Sequence, residues 1–184
     1  MQGVSFKTKR LTVRTPDSGD GIRYAKYYSA NREFLQPLSP KFKDDMFSPR
    51  DWEQSIPIIR QEFSIGRSAR FCLMLEDEMI GVANLTNITP SPSYSCILGY
   101  TLAQSVQGKG LMREALEPII DYAFRVRNIH RITANYMPHN QRSGRLLRSL
   151  GFEVEGFARN YLLINGVWQD HVMTALTNPN WKQK

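Results

Sequence analysis

Two short stretches of this sequence hold residue types that bind anions and move protons. The first, Gln107-Gly-Lys-Gly-Leu-Met112, follows an apolar run and opens a helical pattern. Backbone N–H groups at a helix start lack partners within the helix, and glycines let a ligand approach the backbone, so such a loop suits an anion. A Walker loop is excluded: Leu111 follows Gly110, and no hydroxyl is placed to hold magnesium. A dinucleotide fingerprint needs a third glycine where Arg113 stands. A plain strand-to-helix turn explains the glycines equally well.

A third phosphate loop fits better. The coenzyme A pyrophosphate pattern, Q/R-x-x-G-x-G/A, is matched at Gln107 and Gly110, with Met112 in the last place. The second stretch begins about 33 residues later: Asn140-Gln-Arg-Ser143-Gly-Arg-Leu-Leu-Arg-Ser-Leu-Gly151-Phe152, with His139 just ahead of it. Asn140 offers an amide, Ser143 a hydroxyl, and His139 a ring that titrates near neutrality. Charge collects here too. From Gln104 to Arg148 there are eight basic residues (Lys109, Arg113, Arg125, Arg127, Arg131, Arg142, Arg145 and Arg148) and three acidic, a surplus of five out of a net charge of +7. Such a concentration draws phosphates, nucleotides or nucleic acid; a solvated helix face is the alternative.

In order and spacing, the loop and the N-x-x-S-x-x-L-L-x-x-L-G-F segment resemble the two signature regions of the GNAT acyl-CoA N-acetyltransferases. The likeness extends from about Leu11 to Trp181. Gly81-Val-Ala-Asn84, Leu98-Gly-Tyr100, Ala134-Asn-Tyr-Met-Pro-His-Asn140 and Asp170-His-Val-Met-Thr-Ala-Leu176 are similar to the subgroup that acetylates the alanine N-terminus of a small-subunit ribosomal protein. The resemblance implies a strand that splays from its neighbour, with Tyr100, Thr101 and Leu102 presenting unpaired backbone groups to the pantetheine arm of acetyl-CoA. It also implies a pyrophosphate bound beside Gln107 by the amides of Gly108, Lys109, Gly110, Leu111, Met112 and Arg113, with Asn140 on a pantetheine amide. A backbone N–H near Tyr100 would be the oxyanion donor. Relatives commonly carry a tyrosine acid seven residues after the asparagine; here that position is Leu147, and Ser143 is the expected replacement. A glutamate base five residues before the asparagine is here Asn135, which leaves His139 as the candidate base. No metal is implied. The expected partners are acetyl-CoA and a ribosomal protein N-terminus, with the ribosome or a pre-ribosomal particle beyond them. Two other readings stay open: a ribosome-binding or RNA-binding assembly factor, and an acetyltransferase of small amines. An α-amino group of pKa roughly 7.7–8.0 is about a tenth neutral at pH 7, whereas a lysine near 10.4 is about three decades worse, so an N-terminal acceptor suits a site without a visible base.

The elements that must position these residues are legible. Leu11–Arg14 reads as a short strand, and Asp17–Asp20 caps a helix carrying Tyr24, Tyr27 and Tyr28. Residues 36–49 form a proline-rich loop. Ser48-Pro49 then opens a helix in which Pro57 should impose a kink or shift the start. Strands are expected at Arg70–Glu76, Met79–Asn87 and Tyr94–Leu102, a long helix after Gly110, a strand at Ile132–Met137, and a helix at Gln141–Leu150 closed by Gly151. The last element is a hairpin, Tyr161–Ile164 and Val167–Leu176, turned at Asn165-Gly166. This order predicts one α/β domain over residues 1–184: a mixed, mostly antiparallel sheet, splayed at the acetyl-CoA cleft and flanked by helices.

The chain has 184 residues, 41% hydrophobic and 22% charged, which argues against disordered and fibrous classes. No apolar run approaches the roughly 18 residues needed to span a bilayer, so no membrane partner is expected. The first ten residues have no apolar core of a secretory signal. Cys72 and Cys96 lie in apolar runs without a CxxC partner, which argues against structural zinc and disulfides and for a cytoplasmic setting.

Overall fold

The apolar runs in the middle of the chain pair into a sheet whose strands are covered on both faces. The computed structural model describes residues 3–183. Its strands are β1 (Ser5–Lys7), β2 (Thr12–Arg14), β3 (Ala69–Leu75), β4 (Glu78–Thr89), β5 (Ser95–Leu102), β6 (Arg131–Thr133), β7 (Glu153–Ile164) and β8 (Val167–Thr177). Its helices are α1 (Gly21–Ala30), α2 (Arg32–Leu35), α3 (Pro49–Ser64), α4 (Leu111–Asp121) and α5 (Gln141–Ser149). The sheet order is β1-β2-β3-β4-β5-β6-β8-β7. Every neighbouring pair is antiparallel except β5 with β6. This is the expected mixed α/β architecture.

Side-chain alternation along β3 divides the core. Phe71 and Leu73 join Leu85, Leu98, Leu116, Ile119 and Leu147 on the face covered by α4 and α5. Cys72 and Met74 join Tyr24, Tyr28, Leu35 and Val82 on the face covered by α1 and α2. There Trp52 of α3 stacks on Tyr24, ring centroids 4.2 Å apart. Both cysteines are buried free thiols.

Five elements differ from the sequence reading. The helix after Gly110 runs on through a π-helical turn, Tyr122–Val126. Pro57 neither ends α3 nor shifts its start, because the helix still opens at Pro49 with Ser48 as N-cap. Pro57 lies on the exposed face, where water can satisfy the carbonyl left without a donor. The strand expected over Ile132–Met137 ends at Thr133. The strand before the Asn165-Gly166 turn begins eight residues earlier than expected, at Glu153, and β1 adds an unforeseen edge.

One buried ion pair ties the sheet to α1. Arg14 Nη1 and Nη2 meet Asp20 Oδ2 and Oδ1 at 2.6 and 2.7 Å, and the backbone N–H of Asp17 donates to Oδ2 at 2.8 Å. Asp20 is 1% exposed. Burial pushes its carboxyl pKa up, but the hydrogen bond from Arg14, that from Asp17 and the charges of Arg14 and Arg23 outweigh it, so the pKa lies below the ordinary value. Removing one member of a buried pair strands the other, at about 3 kcal/mol. Urea titration of Asp20→Asn at pH 7 should show a loss of that order. A depressed folded-state pKa stabilises above the unfolded value of about 3.9. The gap between wild type and variant should therefore be full above that pH and close as pH falls through the lower folded-state value.

Candidate active site

The parallel pairing of β5 with β6 lasts three residues, Ser95–Ile97 against Arg131–Thr133. Beyond Thr133 the chain leaves β5 and keeps only β8 as its neighbour. Ala134 N–H donates to Thr174 O at 3.0 Å, and Tyr136 exchanges both backbone bonds with Val172 at 3.2 and 2.8 Å. From Leu98 onward β5 has no strand on that side among the described residues, and a cleft opens between it and residues 134–140.

Ladder alternation decides which groups face the cleft. Ala103 donates to Ile80 O at 2.8 Å, and Val82 lies opposite Thr101. The backbone groups of Thr101 therefore turn towards β4, while those of Leu98, Tyr100 and Leu102 turn into the gap. The open groups on this edge are therefore those of Tyr100 and the Leu102 N–H, whereas the register of Thr101 turns its backbone to the sheet. Its side chain works on the opposite face, where Thr101 Oγ1 receives the Tyr27 hydroxyl at 2.9 Å. The Leu102 carbonyl accepts Gln107 Nε2 at 3.2 Å, and Gln107 Oε1 accepts Arg142 Nη1 at 2.7 Å, so Gln107 bridges the end of β5 and the start of α5.

The glycine loop takes a shape that side chains resist. Gly108 and Gly110 have φ of 76° and 74°, and Gly110 is the N-cap of α4. The first helical bond is Glu114 N–H to Gly110 O at 3.1 Å, which leaves the amides of Leu111, Met112 and Arg113 without helical acceptors. The side chains of Leu111 and Met112 are core. Those of Lys109 and Arg113 are exposed, and Arg113 pairs with Glu117 at 3.0 Å. What this loop offers an anion is its free amides and the positive end of the α4 dipole.

Across the cleft, the Tyr100 hydroxyl and Ser143 Oγ lie 2.7 Å apart, and either can donate. Burial pushes the Tyr100 phenol up to about 12, with the Ser143 hydrogen bond pulling the other way. Asn140 caps α5, its Oδ1 accepting Ser143 N–H at 3.2 Å. Leu147 is 1% exposed and sits in the closing motif of α5, where Phe152 N–H bonds Leu147 O and Gly151 N–H bonds Arg148 O. His139 is exposed on the loop ahead of Asn140, and among the described residues its side chain makes no hydrogen bond to the Tyr100–Ser143 pair. Among the basic residues, Arg113, Arg125 and Arg131 are neutralised by Glu117, Asp121 and Glu155. Sequence reasoning missed two residues. Arg142 was seen only as charge, and Arg10, about a hundred residues upstream, contacts the loop through the fold alone.

Residues 10–153 match the acetyltransferase (GNAT) domain model. The chain is 48% identical to the [ribosomal protein uS5]-alanine N-acetyltransferase of Escherichia coli K12, over 97% of this chain and 93% of that protein. It superposes on the ribosomal-protein-S5-alanine acetyltransferase of Vibrio fischeri with a TM-score of 0.95 at 37% identity, covering 98% of this chain and all of that one. It superposes on Mycobacterium smegmatis RimJ, solved in complex with CoA-disulfide, with a TM-score of 0.88 at 27% identity, covering 99% and 90% of the two chains.

Gly110→Ala places a side chain at φ 74°, a conformation that costs about 1–2 kcal/mol. The loop should relax away from its anion-binding form. Isothermal titration with coenzyme A should then show affinity falling about tenfold while the melting temperature moves little.

Proposed function

The chain belongs to the GNAT acetyltransferase family, and we propose that it transfers an acetyl group from acetyl-CoA to the alanine N-terminus of a ribosomal protein. We place this reaction in the cytoplasm, on an acceptor met within the ribosome or a pre-ribosomal particle. The observation that carries the reading is the continuous line from the unpaired edge of β5 into the loop Gln107–Met112. It gives one extended ligand a row of backbone partners ending in a cluster of free amides.

Acetyl-CoA supplies a thioester, an activated acyl group that an amine can attack directly. The loop fits its pyrophosphate: no neighbouring atom lies within 4 Å of the Cβ position at Gly108, and only Arg10 Nη2, at 3.7 Å, does so at Gly110. The amides of Gly108 to Arg113 hold the phosphates, and the edge groups of Tyr100 and Leu102 hold the pantetheine arm. Asn140 caps α5 through its Oδ1, and its Nδ2 stays available for a pantetheine carbonyl. The Tyr100 N–H faces the gap, placed to stabilise charge growing on the acyl oxygen, often the largest single contribution in such reactions.

The Tyr100–Ser143 hydroxyl pair holds a proton at the floor of the cleft. A thiolate of ordinary pKa near 8.5 is a far weaker base than a phenolate of pKa about 12. The pair therefore stabilises the departing sulfur by donating a hydrogen bond rather than by giving up its proton. An α-amine needs little help, because about a tenth of it is neutral at pH 7.

Incubation with acetyl-CoA and two peptides, read by intact mass, tests the acceptor. A peptide beginning with free alanine should gain one acetyl group. A peptide with a blocked N-terminus and an internal lysine should gain none, and transfer to that lysine would overturn the assignment.

The pH profile tests the proton holders. A neutral amine is required, so kcat/KM should rise through about pH 8 and level off. The hydroxyl pair loses its proton only as pH rises through about 12, so no descending limb should appear up to pH 10. His139→Gln should change kcat/KM less than twofold; a tenfold loss would make His139 the base.

A further inference from the structure

The turn between β1 and β2 lies across the glycine loop, held there by an arginine that every motif of the site leaves out. Arg10 Nε and Nη2 reach Glu114 Oε2 at 2.7 and 2.6 Å, and Nη1 donates to the Lys109 carbonyl at 2.9 Å. Glu114 Oε1 is engaged as well, accepting the Thr8 hydroxyl and the Arg10 backbone N–H at 2.6 Å each. All three guanidinium nitrogens are thus committed to protein acceptors.

The Lys109–Gly110 peptide is trans and planar, so its C=O and N–H point in opposite directions. Fixing the Lys109 carbonyl on Arg10 aims the Gly110 N–H away from Arg10, to the open side of the loop. Gly110, at φ 74°, is otherwise free to turn, since glycine tolerates many backbone conformations. Glu114 poses a second problem, because its carboxylate sits in the first turn of α4, beside the amides meant for phosphate. Arg10 neutralises that charge and holds it to one side.

We propose that Arg10 is a positioning residue for the acetyl-CoA pyrophosphate: by holding the Lys109 carbonyl and the Glu114 carboxylate together, it orients the loop amides without touching the ligand. This rests on the acetyl-CoA reading above. The role requires a fork. Lysine at this position keeps the charge but cannot span both acceptors, so Arg10→Lys should behave like Arg10→Met.

Two donors separate orientation of the loop from general damage. Acetyl-CoA carries the pyrophosphate; S-acetylpantetheine carries the same thioester without it. For Arg10→Met and Arg10→Lys, the dissociation constant of coenzyme A by titration and the KM for acetyl-CoA should rise about tenfold. The kcat and the KM for an alanine peptide should stay within twofold, and kcat/KM with S-acetylpantetheine should match wild type. Far-UV circular dichroism and the retained turnover with S-acetylpantetheine guard against a misfolded Arg10 variant. An unchanged coenzyme A affinity in folded variants overturns the proposal. So does an equal loss with both donors, or an Arg10→Lys variant that binds like wild type, which would assign a simple charge effect. Wild-type protein that does not bind coenzyme A would instead overturn the acetyl-CoA reading itself.

Discussion

From Leu98 to Leu102, one strand in the middle of an eight-stranded sheet keeps its hydrogen-bonding edge without a neighbour, and much of the surrounding protein serves to hold that gap open. Unpaired backbone groups inside a protein are costly, and a sheet would ordinarily close over them. Here the departing segment is held elsewhere. Thr174 Oγ1 bonds the Ala134 carbonyl, and Asn135 Oδ1 accepts the Thr174 N–H at 3.2 Å, so residues 134 and 135 are fastened to β8 on the far side. Asn135 stands where the resemblance would place a glutamate base. In this protein its amide does the work of a backbone group.

The cleft cannot spread without limit, because α5 packs closely against its wall. A Cβ at Gly144 would lie 2.7 Å from Tyr136 Cζ and 2.9 Å from its hydroxyl, so the ring of Tyr136 rests directly on the helix backbone. One residue earlier, Ser143 meets Tyr100 across the gap. Tyr100 thus spans the cleft by its side chain while its backbone faces into it, and Thr101 anchors the same strand to α1 through Tyr27 on the other face. Alternation along β5 lets consecutive residues divide the roles of ligand contact and structural anchor.

The parts of this design with a period or a punctuation mark were legible in the sequence. The glycine loop, the Ser48 cap, the Asn165-Gly166 turn and the closing Gly151 each follow from local backbone needs that few residue types satisfy. The first half of β7 was not legible: residues 153–157 are all exposed, so no apolar alternation marks them, and Asn160, at φ 47°, interrupts the pairing. The end of β6 was hidden for the opposite reason. Ile132 to Met137 reads as one alternating run, yet after Thr133 the chain drops β5 and keeps only its pairing with β8, a choice made by tertiary hydrogen bonds. The backbone direction of Thr101 was hidden because it depends on register parity, and the contact of Arg10 because 99 residues separate it from the carbonyl it holds.

The proton economy of the site follows from burial. Among the described residues, the Tyr100 phenol reaches Ser143 across the cleft and burial keeps it protonated, while the imidazole of His139 is exposed. Such a site can donate hydrogen bonds to developing negative charge but has no buried group poised to strip a proton from a strongly basic amine. A lysine entering it would bring a charge that solvent must remove at a cost of about three decades in the neutral fraction, whereas about a tenth of an N-terminal amine is already neutral at pH 7. The proposed preference for the end of a chain rests on this difference between the amines themselves.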